Sequence, residues 1–539
     1  MRQVHTRLVT GQQMAAIDRR AISGGIAGAD LMEAAGRGVI QVLQESLESL
    51  SGRSLVVLCG HGNNGGDGFV VARHAHRLGA RVRAFLFSER SAVQGDAAHH
   101  LGLTESSGVP IEPVLSSTDL QDVHDALSGC DLAVDGLLGT GISGAARGIV
   151  AEGILALESA GCPVLAIDVP SGLNADTGMA EGPCAAAGRT VTFAQPKRGH
   201  LFYPGRFLCG QLHLVDIGIP ADAVDAEEGR VWWNAACGGG GLLPGRKPDA
   251  HKGDCGRVLI LAGSQGFTGA AALAARGALR GGAGLVTVGV PESLNDVLEV
   301  KLTEAMTFPL PEVRKPRCLA LRARGDIRRL LSTADVVAVG PGLGRHRETA
   351  ELVRHLISDI RVPLVLDADG LNAFEGQADR VKACEADTVL TPHPGEYSRL
   401  TGTALDDVQA NPLDCALKLA ADTGAWVVLK GAPTVIGSPE GEGYVNPSGN
   451  AGMAAGGTGD ILTGLIASLI AQGLPVGQAA CLGVYWHGLA GDLGAEELGQ
   501  AGLLANDVAE ALPRAEKSIR NGTDIQRYLK SPTAGTQER

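Results

Sequence analysis

Two sets of loops in this chain carry residues whose types and spacing suit chemistry. In the first half, Gly60-His61-Gly62-Asn63-Asn64-Gly65-Gly66-Asp67-Gly68 follows a β-branched run and opens a helix. It matches G-x-G-x-x-G, where glycines let a backbone approach a pyrophosphate at a helix N-terminus. The Asn63-Asn64 pair and Asp67 add amide and carboxylate oxygens that a plain phosphate loop does not require. Asp135-Gly136-Leu137-Leu138-Gly139-Thr140-Gly141 and Asp168-Val169-Pro170-Ser171-Gly172 end two more strands. Asn64, Asp135 and Ser171 offer neutral and anionic oxygens, the ligands that hard cations prefer. Each residue alone reads as a turn or cap. Three such loops at the carboxyl ends of one sheet can face one crevice.

In the second half, Ala454-Ala455-Gly456-Gly457-Thr458-Gly459-Asp460 precedes an apolar helix. Free N–H groups and the positive dipole end of such a helix stabilise a developing phosphate anion. Asp460 at that edge is expected to be ionised at neutral pH, as a general base must be. The bland alternative is an aspartate in a helix's first turn. Companion loops are Lys430-Gly431-Ala432-Pro433-Thr434, Thr391-Pro392-His393-Pro394-Gly395-Glu396, Gly340-Pro341-Gly342-Leu343-Gly344 and Gly263 to Ala270. The last lacks the lysine of a Walker motif. His393 between prolines would on its own be a rigid-turn residue.

The elements that must position these loops alternate. Strands are expected at 54–59, 81–87, 131–134 and 163–167, with helices at 10–22, 31–43, 69–78 and 150–160 and Thr10 as an N-cap. The second half has its own series: strands at 257–262, 285–290, 335–339, 363–366, 388–390 and 425–429, and helices at 269–280 and from 459. This rhythm predicts parallel sheets with helices on both faces. It lapses at the small, acidic stretch 221–230, so domains of 1–225 and 226–539 are expected, with the glycines at 238–241 in a loop just inside the second. The polar tail 530–539 is expected to be disordered.

Composition narrows the class. A chain of 539 residues exceeds one ordinary core, and 45% hydrophobic residues exclude a disordered protein. A net charge of −13, 3% aromatics and no run of Lys/Arg argue against nucleic acid as a partner. The eleven cysteines are scattered, which reads as reduced thiols rather than a disulfide framework or zinc site. The N-terminus has no apolar signal region, so a cytoplasmic protein is expected, with a mitochondrial leader as the alternative. Residues 461–486 carry no formal charge, but Gln472, Gly473, Pro475 and Gln478 interrupt them. The apolar run of about eleven residues is too short to cross a bilayer, so two buried helices and no membrane are expected.

The motifs GHGNNGGDG, DGLLGTG, DVPSG and FAQPKRGHLFYPG over 10–220 resemble the N-terminal module of the bifunctional NAD(P)H-hydrate repair enzymes. One departure is Ala34, where that family usually carries asparagine. The second-half loops, with His251-Lys252-Gly253, resemble the C-terminal module over about 240–515. The resemblance implies a Rossmann-like three-layer sandwich followed by a ribokinase-like α/β domain. The first would epimerise the R and S hydrates of NADH and NADPH. The second would dehydrate the S form at the expense of ADP, with magnesium. Implied epimerase substrate contacts are Asn63, Asn64, Gly65, Gly66, Asp67, Gly139, Thr140, Gly141, Ile142, Ser143, Gly144, Ala145 and Asp168, the last also catalytic. A potassium ion would sit at Asn64, Asp135 and Ser171. Implied dehydratase substrate contacts are Ala270, Gly342, Gly344, His393 and Asp460, with Asp460 as base. The nucleotide would meet Lys430, Gly431, Ala432, Pro433, Thr434 and Gly459. A homo-oligomer is expected. Two rivals remain: a ribokinase-like small-molecule kinase, which GGTGD suits equally, and a nucleotide-binding scaffold with an inactive first half. Retention of Asp135 and Asp168 argues against the second.

Overall fold

The computed structural model describes residues 6–142, 144–235 and 242–532. Ser143, the glycines at 238–241 and most of the polar tail, all named above, lie outside the described residues. The chain divides into two compact units. One comprises Thr6–Gly229 and the segment from Gln526; the other comprises Arg230–Ile525.

The first unit is built on β1 (Ser54–Cys59), β2 (Arg81–Leu86), β3 (Ile111–Pro113), β4 (Leu132–Gly136), β5 (Val164–Ile167), β6 (Arg189–Phe193) and β7 (Gln211–Val215). They form one parallel sheet in the order β7-β6-β5-β4-β1-β2-β3, and the late segment Leu529–Lys530 adds a parallel edge strand beside β7. In β1, Leu55, Val57 and Cys59 pack with helices Gly28–Leu47 and Asn63–Arg77, while Val56 and Leu58 pack with helices Leu120–Ser128 and Gly148–Glu158. A strand buried on both faces needs apolar residues at every position, which is why it reads as a run rather than an alternation. The architecture is the expected Rossmann-like three-layer sandwich. Thr10 caps helix Gly11–Ser23 as expected, accepting from Gln13 N.

Helix Asn63–Arg77 begins six residues before the expected start at 69, so the glycine-rich motif is its first turns rather than a loop before it. Glycine is poor inside a helix, and the apolar pattern therefore becomes visible only at Phe69. The reason for glycine is proximity: a Cβ on Gly65 would stand 1.9 Å from the carbonyl oxygen of Gly60. The helix rests on the end of β1 at backbone distance.

The second unit continues with β8 (Val231–Trp233), β9 (Arg257–Leu261), β10 (Leu285–Pro291), β11 (Met306–Leu310), β12 (Glu312–Val313), β13 (Cys318–Leu319), β14 (Val336–Val339), β15 (Leu364–Leu366), β16 (Thr388–Leu390), β17 (Trp426–Leu429), β18 (Val435–Gly437) and β19 (Gly443–Val445). The main sheet runs β11-β10-β9-β14-β15-β16-β17-β18-β19-β8, parallel from β11 to β17, with β18 antiparallel to both neighbours. β12 and β13 form a separate antiparallel pair. Helices Thr458–Ala471 and Val476–Leu498 account for the uncharged stretch, and residues 461–470 are all buried. Among the described residues no helix is long and apolar enough to cross a membrane. Helix Thr458–Ala471 lies unusually close to helix Thr268–Arg280, since a Cβ on Gly464 would stand 1.9 Å from Ala274 O. The ten described cysteines are free, although Cys130 and Cys162 bring their sulfurs to 2.9 Å.

Candidate functional sites

The first site lies between β1 and β4, where the strand order reverses direction. Ligands of open α/β sheets bind at such a switch point. A cavity of about 530 Å³ opens there, lined by Asn63, Asn64, Asp67, Gly139, Thr140, Gly141, Ile142 and Asp168 among the expected residues. Gly65 and Gly66 are buried against Gly60 and Met32 instead. Gly144 and Ala145 do not line the cavity; they lie by Glu181 and Gly182.

Asn64, on the cavity wall, is linked to Asp135 and Ser171 behind it. Asn64 Nδ2 donates to Leu138 O at 2.8 Å, and Leu138 N donates to Ser171 Oγ at 2.8 Å. Ser171 then donates from Oγ to Asp135 Oδ1 at 2.5 Å and from its backbone N to Oδ2 at 2.8 Å. Asp135 is completely buried, and burial pushes its carboxyl up to about 6 against the pull of those hydrogen bonds.

Asp168 follows β5 in the left-handed region, with φ +63°, which costs an aspartate free energy. Its carbonyl accepts from His200 Nε2 at 2.9 Å, while His200 Nδ1 accepts from Lys197 N at 3.1 Å. That bonding fixes the tautomer. Burial, then the nearby Lys197, lowers His200 to about 4, so the ring is neutral. The Asp168 carboxylate accepts from Thr192 Oγ1 at 2.9 Å and pairs with the ammonium of Lys197. Lys197 is 1% exposed. Thr192, Lys197 and His200 carry no role in the sequence reading, although Lys197 and His200 stand in the quoted FAQPKRGH. Their function depends on β6 lying beside β5, and that strand was not expected.

The second site gathers the ends of β9, β14, β15, β16 and β17 around the start of helix Thr458–Ala471. A Cβ on Gly342 would stand 2.8 Å from Phe267 Cβ and 3.0 Å from Ala270 Cβ, so these loops touch. Gly344 N donates to Asp369 Oδ2 at 2.8 Å. His393 caps helix Pro394–Thr401: its Nδ1 accepts from Gly395 N and Glu396 N, and Glu396 Oε2 accepts from His393 N at 2.8 Å. His393 Nε2 therefore carries the proton, 3.4 Å from Glu396 Oε1. Burial, then Lys430, lowers its basicity. In the nucleotide loop, Thr434 Oγ1 closes a turn onto Gly431 O at 3.2 Å, with Gly431 and Ala432 exposed and Pro433 buried. A Cβ on Gly459 would stand 3.3 Å from Lys430 Nζ.

The sequence reading missed what grips Lys430. Asp367, 1% exposed at the end of β15, accepts from Lys430 Nζ at 2.8 Å and from Thr463 Oγ1 at 2.7 Å. Thr463 is three residues beyond Asp460 on the same helix, one turn along the same face. Asp367 thus ties the lysine to the helix that presents Asp460. An Asp at a strand's carboxyl end was the available signal. Asp460 stands in the first turn of that helix, whose N-cap is Gly457 and brings no side-chain cap. The expectation that it stays ionised at neutral pH holds only in part: burial first, then Asp367, raises it to about 7, with Lys430 pulling the other way.

A switch-point cavity bearing an aspartate–lysine pair, and a separate ring of strand-end loops around a lysine and an aspartate at a helix start, define an α/β enzyme with two sites. Residues 28–199 match the family profile described as YjeF-related protein N-terminus, and residues 258–514 match NAD(P)H-hydrate dehydratase. The chain is 43% identical over 514 residues to the bifunctional NAD(P)H-hydrate repair enzyme Nnr of Moorella thermoacetica, covering 95% of this chain and 97% of that one. It is 36% identical to the enzyme of the same name from Escherichia coli, covering 90% and 89%. A crystal structure of the ADP/ATP-dependent NAD(P)H-hydrate dehydratase from Bacillus subtilis, co-crystallised with ATP and Mg2+, is 33% identical with a TM-score of 0.44, covering 51% of this chain and 94% of that one. The chain belongs to the family of bifunctional NAD(P)H-hydrate repair enzymes.

Proposed function

We propose that the first unit epimerises the C6 centre of hydrated NADH and NADPH at the Asp168 cavity, and that the second dehydrates the S form with ADP at Asp460. The observation that carries this reading is the separation of two complete sites, each assembled from the strand ends of its own sheet. A cytoplasmic location and a homo-oligomer belong to the same proposal.

Hydroxide is a poor leaving group. Phosphoryl transfer to the C6 hydroxyl makes a good one, the ring nitrogen then expels phosphate, and loss of a C5 proton restores the dihydronicotinamide. Asp460 takes the hydroxyl proton during transfer, a role suited to a group titrating near the working pH. Lys430 and the helix N-terminus oppose the phosphate charge. Asp367 has both oxygens engaged, and Asp369 accepts from Gly344 N and from Asn372 Nδ2. Glu396 likewise accepts from His393 N, so a magnesium ion would be held chiefly by the phosphates with one or two of these carboxylates, and would spread the transferring charge.

In the first unit the oxygen-only set of Asn64, Asp135 and Ser171 fits a monovalent cation. One buried carboxylate among neutral oxygens suits a larger ion than magnesium, and a potassium ion would supply the positive charge that Asp135 lacks. Those residues would fix the turn between Asp168 and Ser171.

The test is incubation of the full chain with mixed R/S hydrate, with and without ADP, following dihydronicotinamide absorbance and free phosphate. Complete recovery of both epimers with ADP supports the reading. A stable phosphoester product would show a small-molecule kinase instead. Conversion of the S form alone would leave the first unit without its assigned activity.

A further inference from the structure

The first cavity holds more acid than the Asp168–Lys197 pair explains. Helix Gly11–Ser23 presents Met14, Asp18 and Ile22 to the cavity wall, at the i, i+4, i+8 spacing of one helical face. Met14 is buried and Ile22 is 46% exposed, so this face runs from the core to the open mouth of the cavity, with Asp18 between them. A partly buried carboxyl without a hydrogen bond to the protein costs stability, and a ligand's polar group in the cavity would offset that cost. Four carboxyls, Asp18, Asp67, Asp96 and Asp168, line the cavity with Lys197, and Lys197 is already paired with Asp168. Among the described residues neither Asp18 nor Asp67 has a side-chain hydrogen bond to the protein. Burial pushes Asp18 up to about 6, and it pushes Asp67 well above the carboxylate range, with Asp168 and Asp18 adding to it. Protons are therefore retained in this cluster near neutral pH. Other charged groups around Asp18 are Arg19 on its own helix, His61 and Asp96 on the cavity wall, and Asp222 and Asp225 on helix Ala221–Asp225, which packs against it.

We propose that Asp18 is the general acid of the epimerase site, protonating the C6 hydroxyl as it departs, with Asp168 receiving the proton of the water that returns to the other face. The proposal rests on the epimerase reading above. The proton of the Asp18 carboxyl moves to the hydroxyl oxygen, and the C6–O bond breaks with its electron pair on oxygen, releasing water. The N1 lone pair forms the C6=N1 bond, giving an iminium whose charge the anionic cavity stabilises. Water adds to the opposite face, the π pair returns to N1, and the surplus proton goes to Asp168. Exchange with solvent restores the starting protonation. Nothing is oxidised or reduced, and the reverse direction uses the same groups.

The test compares full-length wild type, Asp18→Asn and Asp18→Glu on the isolated R hydrate in oxygen-18 water. Epimer ratios are read by chromatography, and label at C6 by mass spectrometry. Asp18→Asn is expected to slow epimerisation by about 10²–10⁴ fold, the range for a lost general acid. Asp18→Glu should recover part of that. Because the acid form is the active one, the wild-type rate should fall as pH rises through Asp18's titration, and the Asn variant should lose that limb. Dehydration of pre-formed S hydrate should be unchanged in both variants, which reports an intact chain. Label should enter C6 in step with epimerisation in the wild type. An Asn variant within threefold of wild type overturns the assignment, and so does wild-type epimerisation without label. Absence of epimerisation in the wild type overturns the epimerase reading itself.

Discussion

Asp460 and Lys197 act through opposite kinds of neighbour. Asp460 is buried among carboxylates with one lysine to offset them, so its proton is held to about pH 7. Dehydration should therefore rise with pH through about 7 and level off above it. Asp460→Asn should lower turnover by roughly 10²–10⁴ fold and erase that acid limb, while nucleotide affinity, measured calorimetrically, changes little because Lys430 and the backbone remain. A rate within a few fold of wild type would reduce Asp460 to a helix-start residue. Lys197 is the only cation bonded to Asp168 among the described residues, and it is almost wholly inside. Removing one partner of a buried ion pair leaves the other uncompensated, at about 3–5 kcal/mol. Lys197→Met should accordingly abolish epimerisation and lower the melting temperature of the first unit, with dehydration unaffected. Retained epimerisation with a lowered melting temperature would make the lysine structural. At this scale Asp460 was legible because it ends a glycine-rich motif, and Asp168 because it opens the strand-end turn Asp168-Val169-Pro170-Ser171-Gly172. Asp18, Asp367 and Thr463 were not, since each becomes significant only through a neighbour distant in sequence.

Strands that are buried on both faces were the easiest elements to read, and β1, β9 and β14 fall within a residue of expectation. β6 and β7 were missed because Thr190, Thr192 and His213 break their apolar runs. β18 and β19 are three residues each, too short to carry a period. Helix Asn63–Arg77 failed differently: contact with β1 requires glycine where propensity would ask for alanine. That conflict makes a prediction. Gly65→Ala improves intrinsic helix propensity, yet its methyl would meet Gly60 O, a backbone atom with little room to yield. Overpacking of this kind costs about 1–3 kcal/mol, and the shift would carry Asn63, Asn64 and Asp67 with it. The expected result is a lower first-unit melting temperature and epimerisation reduced at least tenfold. A stabilised protein with full activity would show that the helix start can slide without penalty.

Across the whole chain, the linear reading assigned everything after 225 to the second domain, because a polar tail offers no local signal of where it packs. In the folded chain Leu529 and Lys530 pair in parallel with Leu212 and His213, on the outer edge of β7. The segment before them stays with the second unit, where Asp524 accepts from Tyr485 Oη at 2.7 Å. A chain ending at Ile525 therefore separates the two contributions. It keeps every second-site residue, so dehydration of the S hydrate should match the full-length protein. Among the described residues it removes from the first unit the edge strand and the Arg527–Tyr528 segment that leads into it, far along the sheet from β1 and β4. About two ladder hydrogen bonds are lost, at roughly 1 kcal/mol each. For a unit of this size that lowers the melting temperature by roughly 4–8 °C, while epimerisation persists below the new transition. Scanning calorimetry should show the first-unit transition moving and the second holding. An unchanged first transition would mean the edge strand contributes no stability. Loss of epimerisation at temperatures where the unit is still folded would mean that the tail shapes the Asp168 cavity across the sheet.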